Sequence, residues 1–444
     1  MSPPPWKLVV EDLGRIGHAE IEARPLLLFV GQNNTGKTYL ASMLWGLLSL
    51  SRELPLTRGP AYQRCAAWLH QRFAHREQES SIEVTPEVHG DLVQIVNDTL
   101  REQGGTLAER AFNRPGFRIG KIEIRDVARR SEMPVRLESF EEEGRLVTML
   151  SVAEGPSVFG RPHDDILAYA VDYLAWGHIL GVLADRGNPV FLPASRTGFM
   201  LLYRSLAQRL VGDALVKTGA ARPRAPDLTR PAVDFVELLM NLRPDTLGAY
   251  PEEAALLEQA LGGRLSVQSD IGQNEVRYEH TPGEPSLPMQ LSSSLVTELA
   301  PLVLTLRHVS GYRVLIIEEP EAHLHPHIQR ALAQVIVRLV RKGLYVWITT
   351  HSENFCQQIN NFLKIGALPP EQRAEAQEKL GYAEQDYLDL DDVGGYELTV
   401  EGAQSVVHEL KKTPQGLVMP GFNKELFDLA KEVDYLDDLA AGKA

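Results

Sequence analysis

The apolar positions change period along the chain, and each period predicts a different element. Residues 7–22 alternate apolar with polar, and a continuous run follows, Leu26-Leu27-Leu28-Phe29-Val30. Alternation predicts half-buried strands, and the continuous run predicts a strand covered on both faces. A Gly-rich turn and then helical spacing from about Lys37 to Ser49 come next. Residues 52–115 read as mainly helical, and 117–152 alternate like a small antiparallel sheet. A long helix is predicted over about 165–186, then a short strand Val190-Phe191-Leu192 and a loop over 193–198. Residues 219–231, rich in Pro, Arg and Ala, predict an exposed linker. Helices near 232–242 and 251–261 precede strands near 264–269 and 275–280. From residue 292 the pattern becomes helix, strand, helix, strand, helix, over 294–309, 312–317, 326–342, 344–350 and 352–364. Helices alternating with strands in this way predict a parallel sheet covered by helices.

Composition narrows the class. The chain has 444 residues, 44% apolar and 23% charged, close to a globular average. A single core stops growing near about 250–300 residues, so one core with large insertions, or two domains, is expected. Two cysteines, Cys65 and Cys356, cannot build a disulfide framework and fit a reducing cytoplasm. No basic start leads into an apolar stretch and no apolar run approaches the roughly 18 residues of a membrane span, so neither a secretory signal nor a membrane contact is expected.

The net charge of −14 argues against a surface that is basic throughout, but it is unevenly spread. Residues 381–444 hold 14 acidic and 5 basic side chains, whereas 101–130 hold 8 basic and 4 acidic, and 201–230 hold 6 basic and 2 acidic. The two middle segments read as solvated faces or as places where nucleic acid or another partner binds.

The chemistry concentrates at two strand ends. Gly31-Gln32-Asn33-Asn34-Thr35-Gly36-Lys37-Thr38 fits G-x-x-x-x-G-K-[ST], after a buried strand and before a helix. Glycines there let backbone N–H groups close around phosphates, and a helix N-terminus favours the anion. Lys37 would reach the β- and γ-phosphates, and Thr38 would hold Mg²⁺ through its hydroxyl. The second strand, Val314-Leu315-Ile316-Ile317, runs into Glu318-Glu319-Pro320. Glu318 is assigned to the metal and Glu319 to polarising the attacking water. His323, His325 and His327 have spacing conceivable for a metal, although their place after Glu319 is better explained as part of the same loop. Cys356 lacks the His-Asp context of a catalytic thiol, Asp389, Asp391 and Asp392 read as a solvated turn, and Trp45, Trp68, Trp176 and Trp347 read as core.

These residues carry a resemblance. The run from Glu318 to Pro326 resembles the Walker B and D-loop of SMC/ABC-type ATPases, especially the overcoming-lysogenization-defect (OLD) group and its stand-alone relatives. Thr349-Thr350-His351-Ser352 resembles the switch region, with His351 at the γ-phosphate. Ser292-Ser293-Ser294 opens a helix that resembles a degenerate ABC signature, which in such dimers meets the nucleotide held by the partner subunit. Pro193-Ala194-Ser195-Arg196 is similar to a loop of that family, and Arg196 is read as a phosphate or interface contact, or equally as a surface charge. The resemblance implies an α/β ABC-type P-loop NTPase with an N-terminal antiparallel sheet, a parallel core sheet and a mainly helical insertion. It implies that residues 31, 33–38, 292–294 and 196 bind ATP, that Thr38 and Glu318 hold Mg²⁺, and that Glu319 and His351 act in hydrolysis.

The expected domain organisation is 1–50 as the first part of the ATPase core, 51–187 as the insertion, 188–370 as the rest of the core with an insert at 201–285, and 371–444 as an acidic C-terminal segment. Only 93 residues follow His351, too few for the Toprim nuclease that many OLD-type proteins carry. The expected function is therefore an ATP-driven switch, pairing as a homodimer or higher homo-oligomer and controlling a separately encoded nuclease or toxin in anti-phage defence. Two alternatives share the nucleotide residues: a DNA-repair or recombination-mediator ATPase, and a scaffold that sequesters a toxin or nuclease.

Overall fold

The structure, a computed structural model, describes residues 5–73, 82–133, 135–142, 145–152, 158–161, 163–184, 189–203, 205, 228–270, 273–280 and 285–440, for some of them the backbone alone. The fold is mixed α/β. Strands β1 (Lys7–Leu13), β2 (Ile16–Glu22) and β3 (Leu26–Val30) lead into helix α1 (Lys37–Leu50). Helices α2 (Pro60–Phe73) and α3 (Pro86–Phe112) precede β4 (Lys121–Arg125), then β5 (Val135–Glu142), β6 (Arg145–Val152), β7 (Val158–Arg161) and α4 (His163–Leu180). After β8 (Val190–Leu192) come α5 (Arg230–Met240), α6 (Pro251–Leu261), β9 (Arg264–Asp270) and β10 (Gln273–Glu279). The remaining elements are α7 (Ser294–His308), β11 (Val314–Glu318), α8 (Pro326–Arg341), β12 (Tyr345–Thr350), α9 (Glu353–Ala367), α10 (Pro370–Leu380), β13 (Val393–Glu401), β14 (Gln404–Glu409) and α11 (Pro420–Ala440).

One nine-stranded sheet organises these elements, in the order β8-β11-β12-β3-β13-β14-β2-β1-β4. Neighbours from β8 to β13 are parallel, β13–β14, β2–β1 and β1–β4 are antiparallel, and β14–β2 is a short parallel pair. The antiparallel and parallel parts expected separately are thus one sheet. The alternation along β3 explains how two cores form: Leu27 and Phe29 join one apolar cluster with α1–α4, while Leu26, Leu28 and Val30 join another with α6–α9. The side-chain period of 2 puts successive residues on opposite faces, so the run 26–30 is buried throughout. Trp45, Trp176 and Trp347 are fully buried, and Trp68 packs half-buried against the first cluster.

Two boundaries differ from expectation. Residues 121–125, read with 117–152 as one small sheet, pair with β1 in the main sheet, while β5, β6 and β7 form a sheet of their own. Ile122 and Ile124 face the first core, which draws this strand into the larger sheet. Residues 371–444, set apart as an acidic segment, supply β13 and β14; β13 lies directly beside β3, with Val393, Tyr396 and Leu398 buried. The segment's charge average hides this apolar run. Of the locally basic segment 101–130, Arg101, Arg110, Lys121 and Arg125 are paired with acids (Asp98, Glu53, Glu123 and Glu20 among them), so part of its charge is compensated on the spot. Residues 206–227, most of the other basic segment, lie outside the described residues.

Candidate nucleotide site

Strand register assembles the site. Thr350 stands beside Val30 and Glu318 beside Thr349, so the loops leaving β3, β11 and β12 emerge together at the carboxyl ends of adjacent parallel strands. Leu192 stands beside Ile317, which brings the loop after β8 to the same edge. Ligands of open α/β sheets bind in this crevice.

The phosphate loop is held closely. Gly31 has φ 140°, and a Cβ there would run into the backbone carbonyl of Leu398 on β13, so only glycine fits. Gly36 has φ 100° and lies against the Ile16 side chain, and Asn34 also has positive φ, at 63°. Thr35 is buried, its hydroxyl donating to the Gln32 carbonyl at 2.9 Å. Arg15 donates to the Asn34 carbonyl at 3.2 Å. The Lys37 ammonium donates to the carbonyls of Gly31 and Gln32, each at 2.8 Å. Burial lowers its pKa, and the carboxylates of Glu319, Glu321 and Glu318 oppose that shift. Asn33 is exposed at the tip of the loop.

Thr38 and Glu318 stand together, the Thr38 hydroxyl close enough to the Glu318 carboxylate to lower its pKa. Glu318 is 5% exposed, and its Oε2 accepts from the Ala194 amide at 3.2 Å. Its Oε1 is buried without a protein hydrogen-bond partner. Burial raises the Glu318 pKa, and the bonds from Thr38 and Ala194 offset part of the rise. A buried carboxylate oxygen with no donor, beside a hydroxyl and a lysine, fits a hard divalent cation such as Mg²⁺.

Glu319 has φ 43°, a sparsely populated conformation for a residue other than glycine. Its amide donates to the Thr349 carbonyl at 2.8 Å. Its side chain is 30% exposed, and His351 Nδ1 lies 3.7 Å from Oε1. The structure therefore brings Glu319 and His351 together at the open side of the pocket.

Two residues that sequence reasoning gave no role hold this arrangement. Glu321 is buried, and its Oε1 accepts from the Thr350 hydroxyl (2.6 Å) and from the amides of His351 (2.9 Å) and Ser352 (3.1 Å). It fixes the chain on which His351 sits. Glu298 is 1% exposed on α7 and forms an ion pair with Arg196. A charge amid apolar neighbours on a predicted helix was the available signal, since a buried charge requires a partner.

Arg196 corrects the expectation of a phosphate or interface contact. It is 2% exposed and fully engaged inside the protein. Its guanidinium donates to the carbonyls of Glu318 (2.5 Å), Glu319 (2.9 Å), Pro193 (3.2 Å) and Glu298 (3.2 Å). Burial lowers its pKa, opposed first by Glu298. It is a clamp beneath the two acids.

Ser292, Ser293 and Ser294 stand at the start of α7. The Ser293 hydroxyl caps the Val296 amide at 3.4 Å, and Ser292 donates to the Pro288 carbonyl at 3.3 Å. Among the described residues the hydrogen bonds of these serines stay within residues 288–297. His325 and His327 touch through their Nδ1 atoms at 2.8 Å, yet among the described residues no group of three or more His, Cys, Asp or Glu could hold a metal ion. Cys356 is fully buried, with its pKa raised well above the ordinary value by burial.

A domain family described as "AAA domain, putative AbiEii toxin, Type IV TA system" matches residues 219–356, the stretch containing α7, the Glu318-Glu319 strand and the switch strand. No curated protein matches the sequence. Among solved structures, the chain is similar to an SMC head bound to the C-winged helix domain of ScpA, at 12% identity and TM-score 0.37, over 92% of this chain and 98% of that one. The SMC head domain from Thermotoga maritima is matched at 12% identity and TM-score 0.33, over 93% and 100%. An SMC head with an extended coiled coil bound to the C-terminal domain of ScpA, derived from Pyrococcus furiosus, is matched at 11% identity and TM-score 0.35, over 97% and 100%. The matched AAA domain, with the phosphate loop that precedes it at residues 31–38, supports a P-loop ATPase.

Proposed function

We propose that the chain binds ATP with Mg²⁺ at residues 31–38 and 318 and hydrolyses it as a switch resembling the OLD group. The observation that carries this is the convergence of Lys37, Thr38, Glu318, Glu319 and His351 at one sheet edge. Backbone amides at the start of α1 and the Lys37 ammonium hold the phosphates. Thr38 and the unpartnered Glu318 oxygen hold Mg²⁺, which would neutralise phosphate charge when bound. Glu319, half-open to solvent beside His351, takes the proton of the attacking water, and His351 orients that water at the γ-phosphate.

Ser293 and Ser294 are exposed at the start of α7, which supports their use by a second copy. ATP would then bridge two protomers, with Ser292, Ser293 and Ser294 of one completing the site of the other. Control of a separately encoded nuclease or toxin, in anti-phage defence, follows the resemblance. The DNA-repair reading draws less support, since part of the basic segment 101–130 is paired internally.

Glu319→Gln tests the reading. The variant is expected to bind ATP with unchanged affinity, to lose about 10²-fold or more in kcat, and to accumulate as an ATP-bound oligomer in sedimentation. Normal turnover by this variant removes Glu319 from the mechanism.

A further inference from the structure

Among the described residues of helix α11, none belongs to either apolar cluster. Its start is fixed by the Gly421 amide, which donates to Glu397 Oε1 on β13 at 3.0 Å. From Phe427 to Ala440, however, every residue is exposed. Phe427, Leu429, Val433, Tyr435, Leu436 and Leu439 are each about half exposed or more, Phe427 reaching 67%. A lone helix of this length is marginal in water without a packed face.

Four of the apolar positions share one spacing, while Phe427, Tyr435 and Leu439 lie off it. Leu429, Val433, Leu436 and Ala440 recur at intervals of 4, 3 and 4, the spacing of a coiled-coil seam with 429 and 436 at d and 433 and 440 at a. Charge selects what can cover the seam. Asp428, Glu432, Asp434, Asp437 and Asp438 face a single cation, Lys431, over residues 427–440. Glu432 and Asp437 occupy the g and e flanks. In a parallel pair of two copies, Glu432 of one would face Asp437 of the other. In an antiparallel pair like flanks meet, again acid against acid. Flanking charges of one sign disfavour self-pairing and favour a partner of the opposite sign.

We propose that residues 427–440 are a docking helix for a different protein, one presenting an apolar helix seam flanked by Lys and Arg. The attachment gives the contact a short route to the nucleotide site. Glu397, which holds the start of α11, is next to Leu398, whose carbonyl packs on Gly31. A partner docked on α11 is thus one strand away from the phosphate loop.

The test uses the full chain and two synthetic helical peptides of about three heptads, identical in their Leu seam, one with Lys and one with Glu at the flanks. The Lys-flanked peptide is expected to bind at least about tenfold more tightly, with affinity falling as salt rises. Val433→Asp with Leu436→Asp is expected to abolish binding of the Lys-flanked peptide while leaving ATP binding unchanged, which separates lost docking from misfolding and from failure of the ATPase reading. Equal affinity for the two peptides, or no binding to either, overturns the proposal. So does concentration-dependent self-association that the same double substitution abolishes, because the helix would then be covered by a second copy.

Discussion

Arg196 shows how a single residue can matter without touching substrate. Its guanidinium spans the carbonyls of Glu318 and Glu319 on one side and the carboxylate of Glu298 on the other. It therefore ties the turn that aims both acids to the helix that opens with Ser293 and Ser294. Breaking a buried ion pair from one side leaves the other charge desolvated and unpaired, at a cost of about 3–5 kcal/mol. Arg196→Met and Glu298→Leu should each destabilise the chain by that order in urea unfolding. The double variant should be no worse than the worse single one, with a coupling energy of at least about 1 kcal/mol. Strict additivity would mean that the two side chains do not act as a unit. The sequence carried the loop, the two acids and His351, because their motifs require particular residue types in a row. It left Arg196 open between two roles, because an arginine after a strand looks the same whether it faces solvent or a buried carboxylate. Glu298 and Glu321 were not assigned roles for a related reason: a buried acid is identified by its partners, and these lie about 100 and 30 residues away.

At the scale of elements, periodicity was a sound guide wherever burial is one-sided or complete. The strands at 7–30, 190–192, 314–318 and 345–350 and the helices between them stand close to their expected places. Strand β13 was missed because its apolar residues are separated by Gly394 and Gly395 and followed by acids, and because its neighbour in the sheet, β3, is over 360 residues earlier. The packing of α3 on α4 has a consequence that periodicity also could not give. His89 Nδ1 and His178 Nε2 meet at 2.7 Å across the two helices, and His178 has no exposed surface. Burial pulls the His178 pKa down to about 4, and His89 is also lowered. The unfolded chain binds a proton at His178 below about pH 6.5, and the folded chain does so only near pH 4. Stability from this site is therefore complete above pH 6.5 and is lost as pH falls toward 4, by about 2 kcal/mol at pH 5. Asp172 and Asp234, with pKa values raised by burial to about 6, work in the opposite direction. The difference between proteins isolates the histidine: on going from pH 7 to pH 5, His178→Gln should gain in urea midpoint relative to the unsubstituted chain. Parallel profiles for the two would show that His178 does not titrate differently on folding.

At the scale of the whole molecule, the proposed ATP-bridged pair has to find its second half-site. The phosphate loop, Glu319 and His351 are gathered at one edge, while the serines at the start of α7 hydrogen-bond within their own turn. Arg196 nevertheless links α7 to the Glu318-Glu319 turn, so a ligand meeting Ser293 and Ser294 from outside would press on the same clamp that orients the acids. An isologous pair of copies satisfies both facts, since each serine helix then serves the other copy's loop. Mixing distinguishes this from a site complete within one chain. Lys37→Ala removes the cation that holds the phosphates, and Ser294→Arg obstructs the helix start, so each protein alone should hydrolyse ATP poorly. In a mixed pair, one composite site carries both defects and the other carries neither. If pairing is random and the sites act independently, an equimolar mixture should recover about one quarter of the unsubstituted rate. The recovered activity should fall when the mixture is diluted, because it depends on association. A site built within one chain predicts no recovery at any ratio, and that outcome would return Ser294 to a purely structural role as part of a helix start.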